Sequence, residues 1–482
     1  MFPVERLYEF NKPVDYFMRV LANYRFLWLA QDMQKTEAKK TNDNAVHHDP
    51  VAVGSLMGNP RAGLAVSRPL QLVIRLAFGL VDFFNMWRFP RKTDGCFENM
   101  TLIDKLHWLY KSGNPIRHAE KGSSLEVFFD KQADTKLALP DNFEKTDQIR
   151  LAAVGDLMQN DLLPNSARSL YKKIAPELFS ADISFANLEA PLTTQSQRKL
   201  LFVRSETPST YISAEQFHVL KGYKDMKYTV LSTAGNHAWD YGEEGVLSTL
   251  DALTREGIAS VGTNRKMEDR NKATIIEAKG VKIGFIGLTF GLNGKKISPE
   301  QEYHVNWIHL NDVSAEVDLS LPIRQISYCR EQKCDFIIGS LHWGLEFEFF
   351  PAERQLSVAH QLAEAGLDLI ISHHPHVVQP VEFYNTRRDP GRTVVITYSL
   401  GNMVSPFYDD PLILSFLLQI SLATGKRKGQ KITYIDACWV IPVCQRAVMV
   451  EGKPAVQLEK VTDMAPFHLP FELKNLSSLA DQ

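Results

Sequence analysis

A chain of 482 residues is too long for one ordinary domain and is read as two or three. Its composition, 44% hydrophobic and 23% charged, is that of a folded globular chain, and a net charge of −2 gives no reason to expect nucleic acid as a partner. Its cysteines, Cys96, Cys329, Cys334, Cys438 and Cys444, form no C-x-x-C pair, which suits a reducing compartment and argues against a cysteine zinc site.

The N-terminal MFPVERLYEFNKPVDYF lacks a basic start followed by an apolar core, so it does not read as a secretory signal. Residues 1–33 read as helical. Residues 34–66 read as a polar linker in which His47 and His48 are solvated. The apolar run from Leu70 to Phe89 is broken by Arg75, Asp82, Asn85 and Arg88, which are costly in lipid. Ser67 and Pro69 mark a helix start and Pro90 an end. The expectation is a long amphipathic helix packed within the protein, with a peripheral membrane contact through residues 67–90 as the alternative. No membrane-spanning segment is found, which favours a cytoplasmic protein, membrane-peripheral if that helix touches lipid. Leu102, Leu106, Leu109 and Tyr110 stand at helical spacing in a second helix. The charged, irregular stretch 126–147 marks a boundary between a helical region with its linker, 1–147, and a second domain, 148–482.

From Ile149 the pattern changes. Strands are predicted at Leu151–Val154, Ile183–Ala186, Thr229–Thr233, Ser260–Val261, Ile275–Ala278, Val281–Leu288, Phe336–Ser340 and Leu369–Ile371. Helices are predicted at Glu243–Glu256, Ala315–Glu331 and Ala352–Ala365. After Gln379 come consecutive strands at Val381–Tyr384, Thr393–Tyr398, Ile413–Leu422 and Lys431–Val443. The alternation argues for a layered α/β domain, and the late strands for a second sheet packed on the first, an α/β/β/α sandwich. Neither a Gly-rich dinucleotide fingerprint nor a Walker A motif is present.

Polar residues cluster where these strands end, which is where ligands bind in open α/β sheets. The ends read Val154-Gly155-Asp156, Asn187-Leu188-Glu189, Gly235-Asn236-His237 with Asp240 beyond, His342-Trp343-Gly344, and His373-His374-Pro375-His376. Each residue alone has a structural reading: Asp156 as a helix cap, Asn236 in a turn, His342 as a satisfied core histidine. Together they supply oxygen and nitrogen donors without sulfur, which suits Mn, Fe or Zn, and Mg less well. In an extended segment His374 and His376 share one side and could serve one metal or two adjacent ones.

The stretches VGDLM, NLEAPLT, AGNHAWDYGEEG, SLHWGLEFEFFPAERQLSVAHQLAEAGLDLIISHHPHVVQPVE and YSLGN resemble the CapA-type capsule or poly-γ-glutamate biosynthesis family. That family belongs to the calcineurin-like metallophosphoesterase fold, and the likeness runs from Ile149 to about residue 445. It implies a metallophosphoesterase-like α/β/β/α sandwich holding one or two divalent metal ions. By position, Asp156 and His376 would hold the first metal, Glu189 would bridge, and Asn236, His342 and His374 would hold the second. His237 would be the catalytic histidine, with Asp240 orienting it. His373 is taken to sit opposite the pair, behind the ligands or toward substrate. Asn187, Arg204, Trp343, Ser399 and Asn402 are also placed around the metals or facing substrate, with Glu346 and Glu348 at the entrance. One departure matters: the fold's Asp-x-His becomes Asp156-Leu157-Met158, so the first metal is short of a ligand. The implied activity is metal-dependent hydrolysis or transfer through a metal-bound hydroxide, on an anionic polymer or phosphoester. The alternatives are a non-enzymatic scaffold for polymer synthesis or export, and a phosphodiesterase acting on a nucleotide or lipid. Oligomeric state is left open.

Overall fold

The computed structural model describes residues 68–84, 86, 95–96, 99–132, 135, 137–193, 209–313, 316–408 and 410–463. The expected helix at 1–33, the linker with His47 and His48, and Arg204 lie outside the described residues. In chain order the elements are helices α1 (Arg68–Phe83), α2 (Leu102–Lys111) and α3 (Leu125–Gln132), then β1 (Phe143–Leu157), α4 (Ala175–Phe179), β2 (Ile183–Leu188), α5 (Ala214–Leu220) and a small hairpin, β3 (Gly222–Tyr223) with β4 (Met226–Lys227). Next come β5 (Val230–Ser232), α6 (Gly242–Glu256), β6 (Ala259–Val261), β7 (Thr274–Ala278), β8 (Val281–Thr289), α7 (Ser320–Glu331), β9 (Phe336–His342), α8 (Glu353–Ala365) and β10 (Leu369–His373). Strands β11 (Val381–Asn385), β12 (Thr393–Thr397), β13 (Asn402–Val404), β14 (Leu414–Arg427), β15 (Gln430–Val450) and β16 (Lys453–Lys460) complete the fold.

Two sheets form. One has the order β16-β15-β14-β1-β2-β5-β6, with β13 also on β1, and the other β11-β12-β10-β9-β8-β7. Alternation along β1 explains how they stack. Ile149, Leu151 and Ala153 enter the core shared with Phe285, Ile338 and Ile370 of the second sheet, and Phe185 stacks on Phe285 at 6.0 Å. Ala152 and Val154 point the other way, to Leu178 of α4 and Leu220 of α5. On the far side, Ile326 and Cys329 of α7 and Leu356, Ala359 and Leu362 of α8 cover the second sheet. The α/β/β/α sandwich expected from the sequence is therefore the fold.

The late strands are distributed differently from the reading that made them one new sheet. β11 and β12 extend the sheet of β8–β10, whereas β14 pairs antiparallel with β1 and carries β15 and β16 with it. Local alternation tells which face of a strand is buried; it does not tell which edge the strand will join. The stretch 126–147 is also more ordered than its charge pattern suggests. It holds most of α3, which buries only Leu125 and Phe129, and the start of β1. Phe129 is fully buried against Tyr398, 5.7 Å between rings.

Helix α2 begins with a capping box: Thr101 Oγ1 accepts from the Asp104 amide at 3.2 Å, and Asp104 Oδ2 from the Thr101 amide at 3.1 Å. Helix α1 lies on α2 through Phe78, whose ring is 5.3 Å from His107 and 6.0 Å from Tyr110. Its Val73, Leu76 and Leu80 stay exposed. Among the described residues no helix is long and apolar enough to cross a membrane.

Candidate metal centre

Parallel pairing brings the carboxyl ends of the central strands to one edge of the sandwich. Asp156 is in register with Asn187 on β2 and Asn402 on β13, and His342 with His373. The two glycines of VGD and LGN allow the close approach behind Asp156. A Cβ on Gly155 would stand 1.9 Å from the Gly401 carbonyl, which instead accepts from the Asp156 amide at 3.0 Å. Ser399 Oγ, also expected near the metals, accepts from the Gly401 amide at 3.1 Å and shapes this turn. Asp156 ties the two sheets together. Its Oδ2 accepts from the His374 amide at 3.2 Å, and its Oδ1 lies 3.2 Å from His373 Nδ1.

The backbone after β10 is not extended. His374 has φ +97° and His376 φ +59°, so the His-Pro-His segment is a strained turn and its two imidazoles are not presented by a strand's alternation. Neighbouring loops hold that strain. The Phe347 amide donates to the Pro375 carbonyl at 2.8 Å, and Asn402 Nδ2 to the His376 carbonyl at 3.1 Å. His373 faces Asp156 from full burial, its ring 6.0 Å from Phe185, rather than standing across an extended chain from the pair. Trp343 is fully buried in the inter-sheet core, and its amide donates to the His373 carbonyl at 3.1 Å.

Glu189, His374 and His376 bring donor atoms within 4.8 Å of one another. Glu189 is 1% exposed, and neither of its carboxylate oxygens has a hydrogen-bond partner; His374 Nδ1 also lacks one. Burial, and then the charges of Asp156, Glu346 and Asp240, push the Glu189 carboxyl well above its ordinary range. Burial, and then neighbouring imidazoles, hold His374 and His342 well below theirs. A neutral imidazole keeps its lone pair for a cation, and a cation relieves an unpartnered buried carboxylate of a penalty of several kcal/mol. His376 Nδ1 lies 2.9 Å from Asn402 Oδ1, so Nδ1–H donates there and Nε2 turns to Glu189 Oε1 at 3.6 Å. The residues present therefore fit a divalent metal, of the kind that accepts oxygen and nitrogen donors.

The other expected ligands form a hydrogen-bonded chain, although Asn187 Oδ1 and Asp240 Oδ1 have no partner in it. His342 Nε2 is 2.9 Å from Asn236 Oδ1, and its Nδ1 is 3.2 Å from Asn187 Nδ2, which also donates to Asp156 Oδ1 at 2.9 Å. Asn236 Nδ2 donates to Asn293 Oδ1 at 3.1 Å, and Asn293 Nδ2 lies 3.3 Å from His237 Nδ1 and 3.5 Å from its Nε2. His237 Nδ1 is 2.7 Å from Asp240 Oδ2, which also accepts from the Thr210 amide at 2.7 Å. His237 is 15% exposed, while Asp240 is sealed beneath it. The two groups meet where the rings of His342 and His374 lie 5.0 Å apart.

Sequence reasoning missed Asn293. Its signal is the Leu292-Asn293-Gly294 turn just past β8, where Asn293 takes φ +52°, a conformation that asparagine tolerates. The two glutamates assigned to the entrance part company. Glu346 Oε1 lies 3.9 Å from His376 Nε2, whereas Glu348 is buried away from the cluster on Lys111 Nζ at 2.5 Å.

Comparison with known proteins gives this geometry its family. The chain is 30% identical over 264 residues to the PGA biosynthesis protein CapA of Bacillus subtilis (strain 168), covering 54% of this chain and 63% of that one. It is 24% identical over 278 residues to the capsule biosynthesis protein CapA of Bacillus anthracis, covering 56% and 63%. A probable polyglutamine synthesis accessory protein of Mycobacterium tuberculosis (strain ATCC 25618 / H37Rv) is 24% identical over 181 residues, 37% of this chain and 45% of its own. The chain thus spans less than two thirds of the length of these relatives. Residues 150–406, more than half of the chain, match the family described as bacterial capsule synthesis protein PGA_cap, and the chain belongs to that family.

Proposed function

We propose that this protein is a metal-dependent hydrolase or transferase acting at the phosphoryl centre of a phosphoester or at an acyl or amide centre of an anionic polymer such as poly-γ-glutamate. The observation that carries the reading is the buried, unpartnered carboxylate of Glu189 beside His374 and His376. Asp156, Glu189, His374 and His376 would hold the ion. When bound, a divalent cation supplies Lewis-acid polarisation and activates water for attack. The chain's own residues supply the rest. Asp240 accepts the Nδ1–H of His237, which fixes the tautomer and leaves Nε2 to exchange a proton with the reacting oxygen. Asn293 reaches His237 Nε2 at 3.5 Å and Asn236 at 3.1 Å, so one amide positions both until the reacting oxygen takes its place at Nε2. The polymer is suggested by the names of the Bacillus relatives.

Met158, 9% exposed, stands where the fold's pattern has a metal-binding histidine, and this favours a second reading in which the centre binds polymer without turning it over. Metal-loaded full chain assayed on an aryl phosphodiester and on polyglutamate, beside Asp156→Ala and His342→Ala, separates the two. Turnover lost in both variants supports the enzyme. Turnover unchanged in both sinks the catalytic assignment. Tight polymer binding with no turnover establishes the scaffold.

A further inference from the structure

The segment ahead of the family-matched residues reaches into the metal centre. Helix α2 lies outside 150–406, yet its Trp108 indole N–H donates to Glu346 Oε2 and its Lys111 ammonium is on Glu348. Beyond the helix, the Ile116 amide donates to the Phe347 carbonyl at 2.8 Å, and the Phe349 amide donates to the Ile116 carbonyl at 2.9 Å. The loop between is thus clamped on both sides of Phe347, whose φ of +64° is itself strained. That same loop supports the histidine turn, because the Phe347 amide is the one donating to Pro375.

The clamp divides the two oxygens of Glu346. Oε2 is taken by the indole, and Oε1 is left 3.9 Å from His376 Nε2, the nitrogen that also faces Glu189 Oε1 at 3.6 Å. Two donors at ~2.1 Å from one ion stand roughly 3–4 Å apart, so both separations suit a shared ion. Glu346 lies outside the compact group of Glu189, His374 and His376, on the side of His376. That is the ligand assigned to the metal left short by Met158. A carboxylate oriented through its second oxygen by a fixed N–H is how outer partners set ligand direction.

We propose that Glu346 is a further carboxylate of the metal centre and that Trp108, from the N-terminal helical segment, is its positioning residue. The inference rests on the metal-centre reading above. The ion's site is completed by chain that lies outside the family match. A catalytic-domain fragment lacking α2 would carry an unsupported Glu346.

The test is isothermal titration of Mn²⁺ into the metal-stripped full chain, comparing wild type with Glu189→Gln, Glu346→Gln, Trp108→Phe and the Trp108→Phe/Glu346→Gln double variant. Glu346→Gln keeps an oxygen for the indole, so the loop retains its clamp while the ligand charge is lost; circular dichroism and melting of the stripped proteins check this. The expected result is at least about tenfold weaker binding for Glu346→Gln and several-fold for Trp108→Phe, with the double variant no weaker than Glu346→Gln alone. Wild-type affinity in Glu346→Gln, with Glu189→Gln impaired, overturns this proposal and leaves the metal centre standing. Equal affinity in wild type and Glu189→Gln overturns the metal-centre reading itself. Losses that multiply in the double variant overturn the positioning role of Trp108. If Glu346→Gln melts early, Glu346→Asp and Trp108→Phe carry the comparison, and wild-type affinity in both overturns the proposal.

Discussion

The two halves of the site are built from the same residue types and behave oppositely. Around Glu189, His374 and His376, both Glu189 oxygens and His374 Nδ1 are buried without a hydrogen-bond partner, and the backbone at both histidines is strained. From His342 through Asn236 and Asn293 to His237 Nε2, and from its Nδ1 to Asp240, the facing side chains are linked in one hydrogen-bonded chain. Unmet polar groups buried at this depth are rare in proteins and mark a place for something else to bind. A hydrogen-bonded chain instead holds tautomers and directions fixed. On the proposed reading, the first half takes a cation and the second orients a proton. Membership of the capsule synthesis family is common to both halves and does not distinguish them.

Breaking the proton-handling half should give the largest effect on rate. His237→Ala is expected to lower turnover by about 10²–10⁴-fold while bound metal, read by elemental analysis, stays at the wild-type level. Loss of metal in that variant would merge the two halves into one. Glu189→Gln should do the converse, weakening Mn²⁺ by about 100-fold or more in titration, with the His237–Asp240 pair undisturbed. An unaffected affinity would mean that the unpartnered carboxylate is not a ligand.

Metal occupancy should also be visible as stability. Mn²⁺ at a hundred times its Kd is expected to add about 2.7 kcal/mol to unfolding, and a chelator to remove it. Chemical denaturation at matched pH reads the difference, and identical curves would count against a specific site.

The smallest effect calibrates the others. His107 is a buried imidazole outside both halves, held down to about 3 by burial and then by Lys111. Because its folded value lies below the unfolded 6.5, its contribution is whole above pH 6.5 and falls as the pH drops from there toward 3. Between pH 7.5 and 5 that amounts to about 2 kcal/mol at ~1.4 kcal/mol per unit. His107→Gln should remove that share of the acid sensitivity in metal-free protein. Equal acid sensitivity in variant and wild type would show that the imidazole is protonated without penalty.

Much of the candidate site was legible because each residue follows an apolar strand, where a polar side chain has few structural reasons to be. Asp156, Glu189, Asn236, His342 and His374 all end such runs. Asn293 was hidden because a Leu-Asn-Gly sequence reads as an ordinary turn. Trp108 was hidden for a different reason. It stands 238 residues from Glu346, and nothing in a helical periodicity says which loop the helix will meet.

Local sequence by itself determined the layered α/β class, the alternation that buries one face of β1 against the second sheet, and the donor types at the strand ends. These follow from side-chain period and from the chemistry of individual residues, both of which act over short range. Tertiary structure alone decided the rest. It placed β14–β16 on β1 rather than in a sheet of their own, turned the His-Pro-His segment into positive φ, and left Glu189 without a partner while it satisfied His342. Strand pairing, backbone strain and unmet hydrogen bonds are properties of what surrounds a residue, and those surroundings exist only once distant segments have packed.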